Sequence, residues 1–170
     1  MKNKTPIFLA SIILSLTACS PSFDVPREEF YFSLSWGYAL DDLGSYDSRT
    51  NVLIKTTKVR ERKPEDYITT YEFPKMDEIY NDAKSINIYS YPDTYNPYAK
   101  SNLYCIPSMN YILEINDKTI TTLDCCGSRE FPKGMSKKDK NYIEFIFKIM
   151  DIVRTSDEWK ALPDYEYYYL

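Results

Sequence analysis

Phe30-Tyr31-Phe32-Ser33-Leu34-Ser35-Trp36-Gly37-Tyr38 is the stretch on which the fold turns. Phe30, Phe32, Leu34, Trp36 and Tyr38 occupy alternate positions, with Ser33, Ser35 and Gly37 between them. Successive side chains of a strand point to opposite faces, so this alternation predicts a β-strand with one buried face. Downstream, Asp41-Asp42-Leu43-Gly44-Ser45 and the polar residues to Asn51 read as a turn region. Val52 and Ile54 open a second strand that loses apolar character by Lys58, and Arg60-Glu61-Arg62-Lys63-Pro64 reads as a charged turn. Tyr67, Thr69, Tyr71 and Phe73 resume the alternation as a third strand.

Pro74 suits the first position of a helix, where its missing N–H costs nothing. Met76, Ile79, Tyr80 and Ala83 follow at helical spacing and give a short helix one apolar face. From Asn87 to Ser108 the pattern dissolves into Tyr, Pro, Asn and Ser. It returns with Tyr111, Leu113 and Ile115, a turn at Asn116-Asp117, and Ile120 and Leu123 beyond, which predicts a hairpin. Ser136 with Asp139 three residues on resembles a capping box. Behind it Tyr142, Phe145, Ile146, Ile149, Met150, Ile152 and Val153 mark the apolar stripe of a longer helix, with Glu144 and Lys148 paired at i, i+4 on the other side. Asp157-Glu158-Trp159 beside Leu162-Pro163 reads as a helix end folding back onto the core. Tyr165, Tyr167 and Tyr169 alternate as a sheet edge would. The fold class expected is α+β, an antiparallel sheet of about five strands with two helices packed on one face.

Composition removes several function classes. The 170 residues are 44% hydrophobic and 27% charged, the balance of one ordinary domain. With no histidine there is no Ser-His-Asp triad, no Cys-His dyad and no imidazole metal site. Glycine occurs only at 37, 44, 127 and 134, so no Gly-rich phosphate loop can be written. A charge of −4 without a basic run disfavours nucleic acid as a partner. No cofactor, catalytic constellation or metal site is predicted, and the chain is expected not to be an enzyme. The carbonyl-, hydroxyl- and carboxylate-bearing residues Asp41, Asp42, Ser45, Asp47, Ser48 and Asn51 supply oxygens to one segment, but their order does not match an EF-hand loop and is what a turn would use.

The first residues point to a cellular address. Met1-Lys2-Asn3-Lys4 is basic, and Ile7 to Leu16 is an apolar run interrupted by Ala10, Ser11 and Ser15. As helix, such a run rises about 15 Å, half a bilayer core, which suits a secretion signal and not a span. It ends in Leu16-Thr17-Ala18-Cys19, which resembles the lipobox of bacterial lipoproteins. The resemblance implies cleavage between Ala18 and Cys19 and diacylglyceryl attachment to the Cys19 thiol. Ser20 in the next position implies sorting to the periplasmic face of the outer membrane. Residues 1–18 are then the leader, 19–28 a tether containing Pro21 and Pro26, and 29–170 a single globular domain. Lys2 and Lys4 leave with the leader, so a mature chain of 152 residues carries −6.

Three cysteines remain after lipidation. An exported chain meets an oxidising compartment, so a disulfide across the open end of the hairpin is expected, from Cys105 to Cys125 or to Cys126. The segment richest in tyrosine holds Tyr89, Tyr91, Tyr95, Tyr98 and Tyr104 among Pro92 and Pro97. Tyrosine offers large contact area with few rotatable bonds, which makes this loop the candidate protein-binding surface; its alternative use is to wrap the core. The functional expectation is a membrane-anchored, non-enzymatic binding or envelope-structural module. The alternatives are an immunity or inhibitor lipoprotein that blocks a toxic enzyme, and an envelope enzyme acting on sugar or peptide.

Overall fold

A computed structural model describes residues 22–38, 41–57, 65–100, 108–126, 129 and 131–165, with backbone only for 41–42 and 124–126. Seven strands form one sheet: β1 (Phe32–Tyr38), β2 (Asp41–Asp47), β3 (Val52–Thr57), β4 (Glu65–Thr70), β5 (Thr94–Tyr95), β6 (Ser108–Ile115) and β7 (Lys118–Cys126). Their order across the sheet is β4-β3-β2-β1-β6-β7-β5. All neighbours are antiparallel except β5, which runs parallel to β7. Helices α1 (Met76–Ser85), α2 (Lys137–Arg154) and α3 (Asp157–Ala161) complete the α+β fold.

The expectation of about five strands and two helices is therefore corrected to seven and three among the described residues. The segment read as a turn from Asp41 is strand β2. Its acids and glycine have weak strand preference, but it lies between β1 and β3, and the backbone pairing it gains on both sides outweighs that preference. Strand β5 is two residues long and runs beside Thr121 and Thr122, so it leaves no period to read. Helix α3 is a separate short helix because Ser156 caps it, accepting from the Trp159 N–H at 3.1 Å.

The sequence patterns nevertheless mark the layers. On the core face one transverse row runs Leu53, Tyr46, Leu34, Leu113, Ile120, and the next runs Lys55, Gly44, Trp36, Tyr111, Thr122. All ten are buried. Tyr142, Ile143, Phe145, Ile146, Phe147, Ile149, Met150 and Val153 of α2 are buried as well, and Tyr111 meets Phe147 edge-on at 6.2 Å. The Ser136 hydroxyl accepts from the Asp139 N–H at 3.1 Å and caps α2.

The packed domain reaches back to Phe23. That ring is buried against Phe30, Tyr80 and Tyr89, at 6.2, 5.7 and 5.3 Å. The Phe23 N–H donates to Asn87 Oδ1, and the Tyr80 hydroxyl donates to the Val25 carbonyl. Arg27–Glu29 form one 3-10 turn that leads into β1.

The expected disulfide also requires correction. No disulfide is present among the described residues: Cys105 lies outside them, and Cys125 and Cys126 belong to β7, their backbone in register with Met109 and Ser108 of β6. Strand pairing continues to the open end of the hairpin, with a register shift between Met109 and Tyr111.

Candidate docking surface

The helices pack on one side of the sheet, and none of the described helices covers the other. Successive residues of each strand alternate between the two sides, so the register assigns every open-face position. A central row crosses six strands as Ile68, Ile54, Ser45, Ser35, Ile112 and Thr121. The adjacent row is Thr70, Val52, Asp47, Ser33, Glu114 and Thr119. Ile68 is 66% exposed, Ile112 43% and Leu123 37%. A sheet face meant only for water would carry polar residues at these positions.

The relief of this face follows from side-chain size. Ser33, Ser35, Gly37 and Ser45 line β1 and β2, whereas Ile54 and Ile68 stand on one flank and Ile112 and Leu123 on the other. The result is a shallow trough floored by small residues between two apolar ridges. From β3 to β6 is three strand spacings, about 14 Å, which admits a helix of about 10–12 Å diameter. The described carboxylates on this side are Asp47, Asp66 and Glu114. The Ser33 hydroxyl donates to Glu114 at 3.0 Å and the Thr56 hydroxyl to Asp66 at 2.8 Å. No lysine or arginine faces this side from the described strand residues. Arg49, in the β2–β3 turn, pairs with Asp47 at 3.9 Å.

Of the tyrosine-rich segment, for which binding and wrapping the core are the two readings, the described tyrosines pack into the fold. Tyr91 and Tyr98 are buried, and Tyr89 and Tyr95 are half-buried. Tyr91, Tyr95 and Tyr142 form a three-ring cluster with centroids 5.0–5.2 Å apart. The Tyr91 hydroxyl donates to the Lys138 carbonyl at 3.0 Å, Tyr95 donates to Asp139, and Tyr89 donates to Asp117 at 3.0 Å. Burial pushes the Tyr91 phenol up to about 12, with the Asp139 charge adding to the effect. Burial likewise raises Tyr89 to about 12, together with its bond to Asp117. The Tyr91 and Tyr95 hydroxyls make part-buried bonds, whereas the bond from Tyr89 to Asp117 lies at the surface. Tyr104 lies outside the described residues, as do Ala18 and Cys19.

The oxygen-bearing segment around Asp47 is equally committed. Asp47 Oδ1 accepts from the Arg49 N–H at 2.8 Å, Ser48 Oγ from the Phe32 N–H at 2.8 Å, and Asn51 Oδ1 from the Tyr46 hydroxyl at 3.2 Å. Among the described residues no group of three His, Cys, Asp or Glu side chains is arranged to hold a metal ion.

One buried cation was not anticipated. Lys55 is 3% exposed on the core face. Its ammonium lies 5.0 Å from the Trp159 ring, 5.2 Å from the Tyr165 ring and 3.4 Å from the Leu162 carbonyl. Burial holds it below the usual lysine range and Arg154 adds to that, while Asp164 opposes it. In sequence Lys55 looks like the first polar residue of a fading strand. Only α3 and the segment behind it, folded back over β3, turn it into a caged charge.

No protein-family model and no curated protein matches the chain, so the class of protein is defined by fold and surface alone: an α+β domain with helices on one face of an antiparallel sheet and an apolar trough on the other. Among the described residues no helix is long and apolar enough to cross a membrane.

Proposed function

We propose that the chain is a lipid-anchored, non-enzymatic binding module of a bacterial envelope, held at Cys19 and binding a protein partner in the open-face trough. The observation that carries the reading is the exposure of Ile68 and Ile112 in one transverse row with Ser35 and Ser45 between them. That combination supplies apolar contact, hydroxyls for orientation and room for one element of a partner. The Leu16-Thr17-Ala18-Cys19 motif supports the anchor, with two or more acyl chains on one cysteine sufficient for firm attachment. Among the described strand residues this face carries carboxylates and no lysine or arginine, which favours a partner that presents basic and apolar side chains. The same feature supports the second reading, an inhibitor or immunity lipoprotein that blocks a cationic toxic enzyme.

The test places a photo-crosslinking amino acid at Ile112, at Ile68, or at the helix-side control Lys160 in the membrane-bound chain. A discrete adduct from the first two positions, absent from the third and lost in a Ser35→Arg variant, supports the reading. Adducts from the control alone, or turnover of cell-wall fragments by the purified protein, overturn it.

A further inference from the structure

The distance between the proposed anchor and the first packed residue is very short. Phe23 is fixed by three aromatic rings and by the bond from its N–H to Asn87, so the chain leaves the domain at a defined point. Only Ser20, Pro21 and Ser22 separate it from Cys19. Four residue steps, even fully extended, reach about 14 Å. The nine residues of β7 extend about 30 Å from one end of the sheet to the other. The domain cannot stand clear of the bilayer by its own height.

Which end is held down follows from the topology. Tyr89, in contact with Phe23, donates to Asp117 in the β6–β7 turn. Asn116 of that turn bonds Tyr31 and Glu29, immediately before β1. The β2–β3 turn lies at this end too, because Asp47 and Val52 pair beside Ser33, and Ser48 bonds Phe32. Three ion pairs lie at this end, Arg27 with Asp77, Arg49 with Asp47, and Lys118 with Asp93, and the exposed Asp24, Glu28, Glu29 and Asp117 add negative charge beside them. Half-buried Tyr31 and Tyr89 are the kind of side chain that tolerates a headgroup layer. The four-residue reach from Cys19 to Phe23, and not charge attraction, is what keeps this end at the membrane.

Taking the lipid anchor at Cys19 from the proposed function, we infer that the domain stands upright on the bilayer, with the β2–β3 and β6–β7 turns against the lipid headgroups. The opposite end, where β3 finishes at Thr57 and β4 starts at Glu65, points away from the membrane. The trough, which runs along the strands, is then perpendicular to the bilayer and displayed sideways. Its partner is a protein at the same membrane surface, approached laterally.

The lipidated full chain, reconstituted in vesicles of phosphatidylethanolamine and phosphatidylglycerol with nitroxide-labelled headgroups, provides the test. A fluorophore is introduced through a ketone-bearing amino acid at Thr50 in the β2–β3 turn or at Asp66 near the far end. Quenching several-fold stronger at Thr50 than at Asp66 is expected, and a flexible Gly/Ser insert of about twenty residues between Ser22 and Phe23 should abolish the contrast. Equal quenching at the two positions in the native chain, or stronger quenching at Asp66, overturns the orientation while leaving the anchor intact. A chain that stays with washed membranes after Cys19→Ser overturns the anchor itself, and the orientation with it.

Discussion

The Tyr91 hydroxyl donates to the main-chain carbonyl of Lys138 at 3.0 Å, and the Lys138 ammonium lies 4.5 Å above the Tyr91 ring and bonds the Ser90 carbonyl. Two residues 47 apart in sequence thus fasten the tyrosine-rich segment to the first turn of α2. The ring is buried, so the hydroxyl and the ring contribute separately. Tyr91→Phe removes one hydrogen bond and should cost about 1 kcal/mol. Tyr91→Ala also leaves a cavity beside Tyr142 and should cost about 3–5 kcal/mol. Urea unfolding of both variants measures the split; equal losses would mean that the ring packing matters little.

The same tyrosine gives a pH prediction. In the folded chain its phenol is held up to about 12, against 10.0 for an ordinary tyrosine. The folded state therefore keeps the proton that the unfolded state releases between those values. The stabilisation from Tyr91 is complete below pH 10 and disappears as the pH rises toward 12. The native chain should lose stability over this window more steeply than Tyr91→Phe, as followed by thermal unfolding at stepped pH. Parallel curves would show that Tyr91 does not titrate differently in the folded state.

Lys55 works with the opposite sign. Burial holds its ammonium below the usual range, so below pH 10.5 the unfolded chain binds the proton more tightly than the folded chain. Stability contributed through Lys55 should rise with pH until that point. Replacing the lysine with methionine keeps most of the volume and removes the buried charge, a change expected to be neutral or stabilising near pH 7. Any advantage of Lys55→Met over the native chain should shrink as the pH climbs toward 10, read as the difference between urea midpoints. A difference independent of pH would exclude Lys55 as the titrating group.

Gly44 is required by the core face and not by a turn. A Cβ at this position would lie 2.8 Å from the Ile54 carbonyl oxygen, 2.8 Å from Trp36 and 3.0 Å from Trp159. Trp36 and Trp159 pack with ring centroids 5.5 Å apart over the space that glycine leaves. One of the three neighbours is backbone and cannot rotate aside, so Gly44→Ala should cost about 1–3 kcal/mol through overpacking. It should also alter the near-ultraviolet circular dichroism of the indole pair. An unchanged spectrum and midpoint would count against this packing.

The strands and helices that carry their own period were legible in the sequence: Phe32 to Tyr38, the hairpin on either side of Asn116, and the stripe from Tyr142 to Val153. What was hidden depended on partners distant in sequence. Asp41 to Asp47 is a strand because of β1 and β3 on either side, with Leu43 as an extra residue where the register shifts between Trp36 and Gly37. The open face was written in the same alternation that revealed β1, since Ser33 and Ser35 are its water-side residues. Its apolar ridges were not, because Ile54, Ile68 and Ile112 acquire a common row only when four strand registers are known. The tyrosine-rich segment left both of its uses open for the converse reason. Composition shows that rings are available, but not that Lys138, Asp139 and Asp117 wait for their hydroxyls.

Asn116 joins the N-terminal segment to the sheet and offers the sharpest local test. Its backbone is left-handed, with φ of 51°, a conformation that glycine and asparagine adopt more readily than other residues. Its side-chain oxygen accepts from the Tyr31 N–H at 3.3 Å, its amide donates to the Glu29 carbonyl at 2.7 Å, and its own N–H donates to the Tyr31 carbonyl at 3.2 Å. Asn116→Gly preserves the backbone and loses only the side-chain bridge, for an expected cost of about 1–2 kcal/mol. Asn116→Ala loses the bridge and also places a Cβ in the left-handed region, so it should be worse than glycine by about 1 kcal/mol. In both variants Phe23 to Tyr31 should become more open to proteolysis before the sheet unfolds, because one of the contacts that hold this segment down is gone. Limited proteolysis followed by mass analysis measures that order. Cleavage that appears only at the global unfolding midpoint would mean that the segment is held by its aromatic packing alone, and that Asn116 serves the turn and nothing beyond it.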